Sequence, residues 1–320
     1  MIHSGMTMEN TFPIDFVVPM VFPDDPAWQR DYERARGDYA GAAVRNVRWR
    51  SWGTEELMVR CVLKYMPWVR SIFILLASET QEQEWMRSPS CNNGMTELRV
   101  VRHREFIPEK FLPCFSSPCI EMFLHRIPGL SEQFIYGNDD MFPLSPLSPD
   151  DFFRSVLPSS PEGALPCQVM AEKPFPPSPN IFQRKCMYQQ NMVGAPFGRK
   201  FRRTWLKSGH SFAPILKSSC EEVWRRHGGE IERNISPLRR TDRSYNHYIY
   251  LLYQYFSGIT VGHAPRKQYV GRGTPTAQIA GIIREPDAGI LCLNDNENID
   301  DWERRAAVVR REISAKLAKD

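Results

Sequence analysis

Phe115–Phe153 reads FSSPCIEMFLHRIPGLSEQFIYGNDDMFPLSPLSPDDFF. Inside it, the apolar run Gln133–Gly137 stops abruptly at Asn138-Asp139-Asp140. Carboxylates are seldom buried without a partner. A buried strand whose tip carries two of them therefore reads as a tip that presents them to a cation or a substrate. Just upstream, Ser116-Ser117-Pro118 is a helix-start signal, and Pro118–Arg126 is predicted to be helical. The predicted order is helix, then strand, then acidic strand end.

The flanking sequence extends this alternation. Ile14–Phe22 is a β-type apolar run, followed by the turn and helix-start residues Pro23-Asp24-Asp25-Pro26. Asp31–Ala43 is predicted helical. Gly53-Thr54-Glu55-Glu56 opens a helix with Thr54 as N-cap, and that helix ends at Pro67. Ser71–Ala77 is continuously apolar, as in a strand covered on both faces. Glu79–Met86 reads as helix, Ser88–Gly94 as loop and Leu98–Arg102 as a short strand. Alternating strands and helices predict an α/β layered domain with a mainly parallel sheet. In such sheets ligands bind beyond the carboxyl ends of strands, where Asn138–Asp140 stands.

Downstream the character changes. Leu144–Pro179 is rich in Pro and Ser and reads as an extended connection. From Asn180 onward the pattern is helical, over Asn180–Arg203, Pro214–His227 and Tyr245–Phe256. Ile282–Leu293 is expected to return a strand to the sheet, ending at Asn294-Asp295, and Ile299–Lys319 to form a charged surface helix. The expected organisation is an α/β core over residues 1–160, a mostly helical part over 161–280, and a returning strand with its helix over 281–320.

Composition bounds the alternatives. The 320 residues are 42% hydrophobic and 24% charged, with a net charge of +4. These are ordinary globular values, and the charge excess is too small to imply nucleic acid. No apolar run reaches the roughly 18 residues of a membrane span, and Met1–Phe12 lacks the pattern of a secretory signal. The eight cysteines include no Cys-x-x-Cys pair, so reduced thiols are expected rather than a zinc site or a disulfide framework.

Three groups of side chains suggest chemistry. Asp139 and Asp140 offer the oxygen ligands that Mg²⁺ and Mn²⁺ prefer, and such ions commonly bridge nucleotide phosphates. Arg48, Arg50, Arg60, Arg239 and Arg240 offer planar forks suited to phosphate. His210, beside Gly209 in a loop, suits general-base work. His125 reads as a core histidine, and His103 and His227 as surface residues. Asn294-Asp295 is a second strand-end acid.

At this point the residues spell a family. Met66–Arg70, SIFILLAS, PCFSSPCIE, LHRIPGLSEQFIYGNDDMF and SPDDFF resemble the central conserved region of the Stealth proteins. These are sugar-phosphate transferases, among them bacterial capsular polysaccharide phosphotransferases and the animal N-acetylglucosamine-1-phosphotransferase of lysosomal tagging. Ile14–Pro26, Lys207–Gly258 and Ile290–Asn296 resemble three further conserved regions, in the family's order.

The resemblance implies a Rossmann-like nucleotide-sugar transferase core with a helical C-terminal part, and a Mg²⁺ or Mn²⁺ cofactor. It implies transfer of sugar-1-phosphate from a UDP-sugar to a glycan hydroxyl, with UMP leaving, in capsule or surface polysaccharide synthesis. It places Asp139, Asp140 and Asp295 at the metal. It gives catalytic roles to Asp139, Asp140, His210, Arg240 and Arg60, and substrate contact to Asp15, Arg48, Arg50, Ser116, Ser117, Glu121, His125 and Asn138. A cytoplasmic protein in peripheral contact with the inner membrane face is the matching expectation. A metal-dependent glycosyltransferase releasing UDP, or a nucleotide-sugar-binding member of a capsule assembly complex, are the alternatives. One departure bears on them: Met20-Val21-Phe22-Pro23 stands where the family carries Trp-Val-Asp-Gly, and Asp24 or Asp25 is the available substitute acid.

Overall fold

The computed structural model describes residues 12–37, 50–88, 94–155, 164–238, 241–294 and 301–319. In chain order the strands are β1 (Ile14–Pro19), β2 (Ser71–Leu76), β3 (Glu97–Arg102), β4 (Gln133–Tyr136), β5 (Met141–Pro143), β6 (Phe153–Arg154), β7 (Leu165–Pro166), β8 (Met170–Pro174), β9 (Thr204–Ser208), β10 (Ala213–Leu216), β11 (Lys267–Val270) and β12 (Ile290–Leu293). The helices are α1 (Pro26–Arg36), α2 (Glu55–Tyr65), α3 (His103–Phe106), α4 (Ser117–Met122), α5 (Ile181–Gly194), α6 (Lys217–Asn234), α7 (Tyr248–Phe256), α8 (Thr276–Arg284) and α9 (Trp302–Leu317).

The main sheet has the order β10-β4-β1-β2-β3. β1 pairs in parallel with both β2 and β4, and β2 with β3, so four of its five strands run together. Successive side chains on a strand point to opposite faces. Accordingly Ile72, Ile74 and Leu76 of β2 enter one core, with α2, α8 and α9. Phe73 and Leu75 enter the other, with α6 and α7. Fully burying such a side chain contributes about 1.5–3 kcal/mol, which explains why this stretch is apolar throughout. The chain leaves β1 for β2 and β3 on one side, then returns to β4 on the other. The order therefore reverses between β1 and β4, and a crevice opens beyond their carboxyl ends.

Several expectations change here. The single helix expected at Glu79–Met86 is two short 3₁₀ turns, Glu79–Gln81 and Glu84–Arg87. The Asn180–Arg203 helix stops at Gly194, because Pro196 supplies no donor and Gly198 turns the chain at φ +69°. Pro214 begins no helix. It sits in β10, which pairs antiparallel with β4 at the edge of the sheet, where a missing N–H is tolerated. The helix α6 follows at Lys217. Leu144–Pro179 is not featureless either, since β6, β7 and β8 lie within it.

The strand expected to rejoin the main sheet, β12, instead joins a second sheet of order β11-β12-β5. There it pairs antiparallel with β5, the three residues that directly follow Asp140. The Leu293 amide donates to the Asp140 carbonyl at 2.8 Å. The C-terminal part is thus hydrogen-bonded to the acidic strand end itself. Among the described residues no helix is long and apolar enough to cross a membrane. The seven described cysteines are all buried free thiols.

Candidate active site at the carboxyl edge of the sheet

A cavity of about 430 Å³ opens at the reversal point. Its floor is the end of β1 (Pro19, Met20, Val21), Ala77 after β2, and Asn138-Asp139-Asp140 after β4. One wall is the start of α2, with Arg50, Ser51, Trp52, Thr54 and Glu55. The facing wall comes from α4, α5 and the start of α7, with Ser117, Glu121, Lys185, Asn246, His247 and Tyr248. His210 and Asn294 complete the rim.

Close packing sets the strand end. A Cβ on Gly137 would meet Phe16 at 2.7 Å and Phe212 at 2.8 Å. Only glycine lets the chain leave β4 beneath those two edge-to-face rings, whose centroids are 4.9 Å apart. The next three residues then face the cavity. Asp139 is held well above the ordinary carboxylate range, first by desolvation and then by the like charges of Asp140 and Glu55. No arginine or lysine pairs with Asp139 among the described residues.

That crowding tests whether a cation fits. Three carboxylates gathered where the floor meets the α2 wall repel one another unless positive charge is placed between them. Donor atoms of Asp140, His210 and Cys292 lie within 4.8 Å of one another. Burial and the Asp140 carboxylate push the Cys292 thiol far up, so it stays protonated and is the weak member of that set. Partial desolvation, with His247, Lys207 and Lys267 nearby, lowers His210 and leaves a neutral imidazole. Carboxylate oxygens suit Mn²⁺ or Mg²⁺, and an imidazole donor beside them is the more compatible with a transition metal such as Mn²⁺. The residues fit a divalent cation of that kind.

A second constellation faces Asp139 across the cavity. Glu121 is buried, and its Oε2 accepts from the His247 backbone N–H at 2.7 Å and stands 2.9 Å from His247 Nδ1. The Tyr136 hydroxyl lies between Glu121 Oε1 (3.2 Å) and Asn138 Oδ1 (3.0 Å). Burial alone would raise the Glu121 carboxyl. The charge and hydrogen bonds of His247, with help from Lys185, take it below its ordinary value instead.

Of the residues expected at the site, Arg50, Ser117, Glu121, Asn138, Asp139, Asp140 and His210 line the cavity. Arg48, Arg240 and Asp295 lie outside the described residues. Four others stand elsewhere. Asp15, at the opposite end of β1, forms an ion pair with Arg70 (Oδ1 to Nε 2.8 Å) and accepts from the Ser131 N–H at 2.7 Å. Arg60 lies on the outer face of α2, 4.0 Å from Glu56. Ser116 caps α4, its carbonyl accepting from the Cys119 N–H at 2.8 Å. His125 packs on Trp224, with ring centroids 5.8 Å apart, and burial pushes it down to about 4.

Asp25 does not replace the missing acid of the first conserved region. Its carboxylate caps α1 through Ala27 N (2.9 Å) and accepts from Thr80 Oγ1 (2.6 Å) and Gln81 Nε2 (2.9 Å). His103 is a cavity residue rather than a surface one, buried and pushed down to about 4 by desolvation.

Two cavity residues carried little sequence signal. Lys185 is one of two adjacent cations on a mixed helix, yet it is buried. Asn246-His247, a polar pair opening the otherwise apolar α7, was the available clue to the facing wall.

Comparison with known proteins finds relatives along most of the chain. The conserved region 2 of the Stealth proteins matches residues 48–159, which contain α2, β2, β3, α4, β4 and the acidic strand end. The receptor polysaccharide phosphotransferase WefC of Streptococcus oralis is 29% identical over 322 residues, spanning 91% of this chain and 93% of the relative. A capsular polysaccharide phosphotransferase of Actinobacillus suis is 30% identical over 296 residues, spanning 88% and 76%. A solved structure of an active-site mutant of LgtC aligns over 93% of this chain and 95% of that one, with 10% identity and a TM-score of 0.36.

Proposed function

This chain belongs to the Stealth family, and from that premise we propose that it transfers a sugar-1-phosphate from a UDP-sugar to a glycan hydroxyl in capsule or surface polysaccharide synthesis. The product is a phosphodiester, and UMP leaves. The observation that carries this reading is the carboxylate cluster of Glu55, Asp139 and Asp140, which shares one cavity with the cations Arg50 and Lys185. A sugar nucleotide and a divalent cation together match both signs of charge.

Asp139 and Asp140 would hold Mg²⁺ or Mn²⁺. When bound, such an ion neutralises the diphosphate and the charge gathering on the leaving nucleotide. Catalysis of phosphoryl transfer is mainly positioning and charge stabilisation. Arg50 and Lys185 take the part expected of Arg60, whose side chain points away from the cavity. The N-terminal end of α2, at Thr54 and Glu55, adds its positive dipole end to the same wall. Tyr248, Phe115 and Trp28 give the cavity apolar surface for a base or a sugar ring.

The test is Asp140→Ala. Turnover should fall by at least ~10³-fold, the size expected when a charge-stabilising group is removed, and chelation should silence the parent protein. Near-normal activity in Asp140→Ala would overturn the cation role.

A peripheral site at the membrane is part of the proposal. Arg199, Lys200, Arg202 and Arg203 are exposed on the turn between α5 and β9 and take part in no ion pair among the described residues. Vesicles containing phosphatidylglycerol should co-sediment the protein but not an Arg199→Glu, Arg202→Glu variant. Equal pelleting of both would remove that surface from consideration.

A further inference from the structure

The hydroxyl that attacks phosphorus must lose its proton, and the obvious acceptor, His210, stands among the donors grouped with Asp140. His247 has the other arrangement that proton transfer needs. Its Nδ1 is 2.9 Å from a carboxylate oxygen of Glu121 that also accepts the His247 backbone N–H. A carboxylate oxygen only accepts, so Nδ1 carries the hydrogen and Nε2 carries the lone pair. That Nε2 makes no hydrogen bond among the described residues. The ring lines the cavity and is 13% exposed. Glu121 is fixed in turn by the Tyr136 hydroxyl, which also reaches Asn138 of the acidic strand end. The same chain of contacts therefore ties the imidazole to the strand that carries Asp139 and Asp140.

Resting on the proposed phosphotransfer, we infer that His247 Nε2 is the proton acceptor for the acceptor hydroxyl and that Glu121 is its positioning residue. In the step, the hydroxyl oxygen forms a bond to the sugar-bearing phosphorus of the donor. The phosphoanhydride bond breaks, and its electron pair leaves on UMP. The hydroxyl proton passes to Nε2, and the Glu121 carboxylate stabilises the imidazolium that results. The ionisable groups that face the ring are Glu121 from α4, Lys185 from α5, Tyr136 from β4, Tyr248 beside it, and His210 from the loop before β10.

The experiment compares His247→Gln, His247→Ala and Glu121→Gln in full-length protein, with UDP-sugar binding as the check on folding. His247→Gln should lose ~10²–10³-fold in kcat, within the usual range for a general base, while donor binding stays within about threefold. The acid limb of its pH–rate profile should disappear. Added imidazole should restore at least about tenfold to His247→Ala. Glu121→Gln, which still accepts from Nδ1, should keep the limb, lower kcat and leave the donor Kd unchanged. A folded His247→Gln that keeps parental kcat and acid limb overturns the inference. So does a His247→Ala protein that binds donor yet gains nothing from imidazole. Neither result touches the phosphotransfer reading, which fails separately if the released nucleotide is UDP.

Discussion

Asp15 and Asp139 stand at opposite ends of the adjacent strands β1 and β4. Asp15 lies opposite Phe134, near the start of β4, whereas Asp139 lies past its end at Tyr136. At the amino-terminal edge Asp15 is fully buried and answered twice by Arg70, whose second nitrogen also donates to the Gly129 carbonyl at 2.8 Å. At the carboxyl-terminal edge Asp139 meets Asp140 and Glu55 rather than a cation. The first arrangement is complete and holds the fold. The second crowds like charges at the floor of the candidate cavity. Two identical side chains in one sheet are thus told apart by the company each keeps.

The sharpest way to break this contrast is Asp139→Asn. It should cost at least ~10³-fold in turnover, equivalent to about 4 kcal/mol of transition-state stabilisation. It should also raise the thermal midpoint of the metal-free protein, because one of three repelling carboxylates is gone. Turnover assays and thermal melts with and without chelator check both halves. Asp15→Ala should do the reverse. It leaves the Ser131 N–H unanswered, while the 40%-exposed Arg70 side chain can turn to water, so the cost in denaturant unfolding should be about 1–3 kcal/mol, while the folded fraction keeps its kcat. A stable Asp15→Ala protein without activity would move Asp15 into the site.

His125 sharpens the comparison with a third solution, staying neutral. Its folded value of about 4 lies below the ordinary 6.5 because it is buried. As pH falls the unfolded chain takes up the proton first. Stability from this group is therefore complete above pH 6.5 and is lost progressively toward pH 4, by up to about 3 kcal/mol. Denaturant curves across that range should flatten in His125→Gln. An unchanged pH dependence would contradict the neutral assignment. The smallest effect belongs to Arg60→Ala. Its exposed pair with Glu56 contributes less than about 0.5 kcal/mol, and kcat should change by under threefold.

Much of this site was legible in the sequence because it is local. The run ending at Asn138-Asp139-Asp140 is a strand followed by its own acidic tip, and the surrounding family resemblance covers those same residues. What could not be read was three-dimensional adjacency. Arg60 is only a few residues beyond Glu55, yet helix geometry turns it outward. Asp25 is close to the position of a missing acid, yet it is occupied by Thr80, Gln81 and the cap of α1. Lys185 and His247 come from segments far along the chain, and only the packing of α5 and α7 against the sheet brings them to the cavity. The strand β10 was hidden for a different reason: four residues containing a proline make a weak period, and the pairing with β4 supplies what the local pattern lacks.

What separates phosphotransfer from glycosyl transfer is which bond of the donor breaks. The direct measurement is to incubate the protein with Mn²⁺, a surface glycan acceptor and UDP-sugars labelled with ³²P at the sugar-bearing phosphorus. With phosphotransfer the label moves into the glycan and UMP is released, both abolished in Asp140→Ala. Label recovered in UDP, with unlabelled sugar on the glycan, would contradict it.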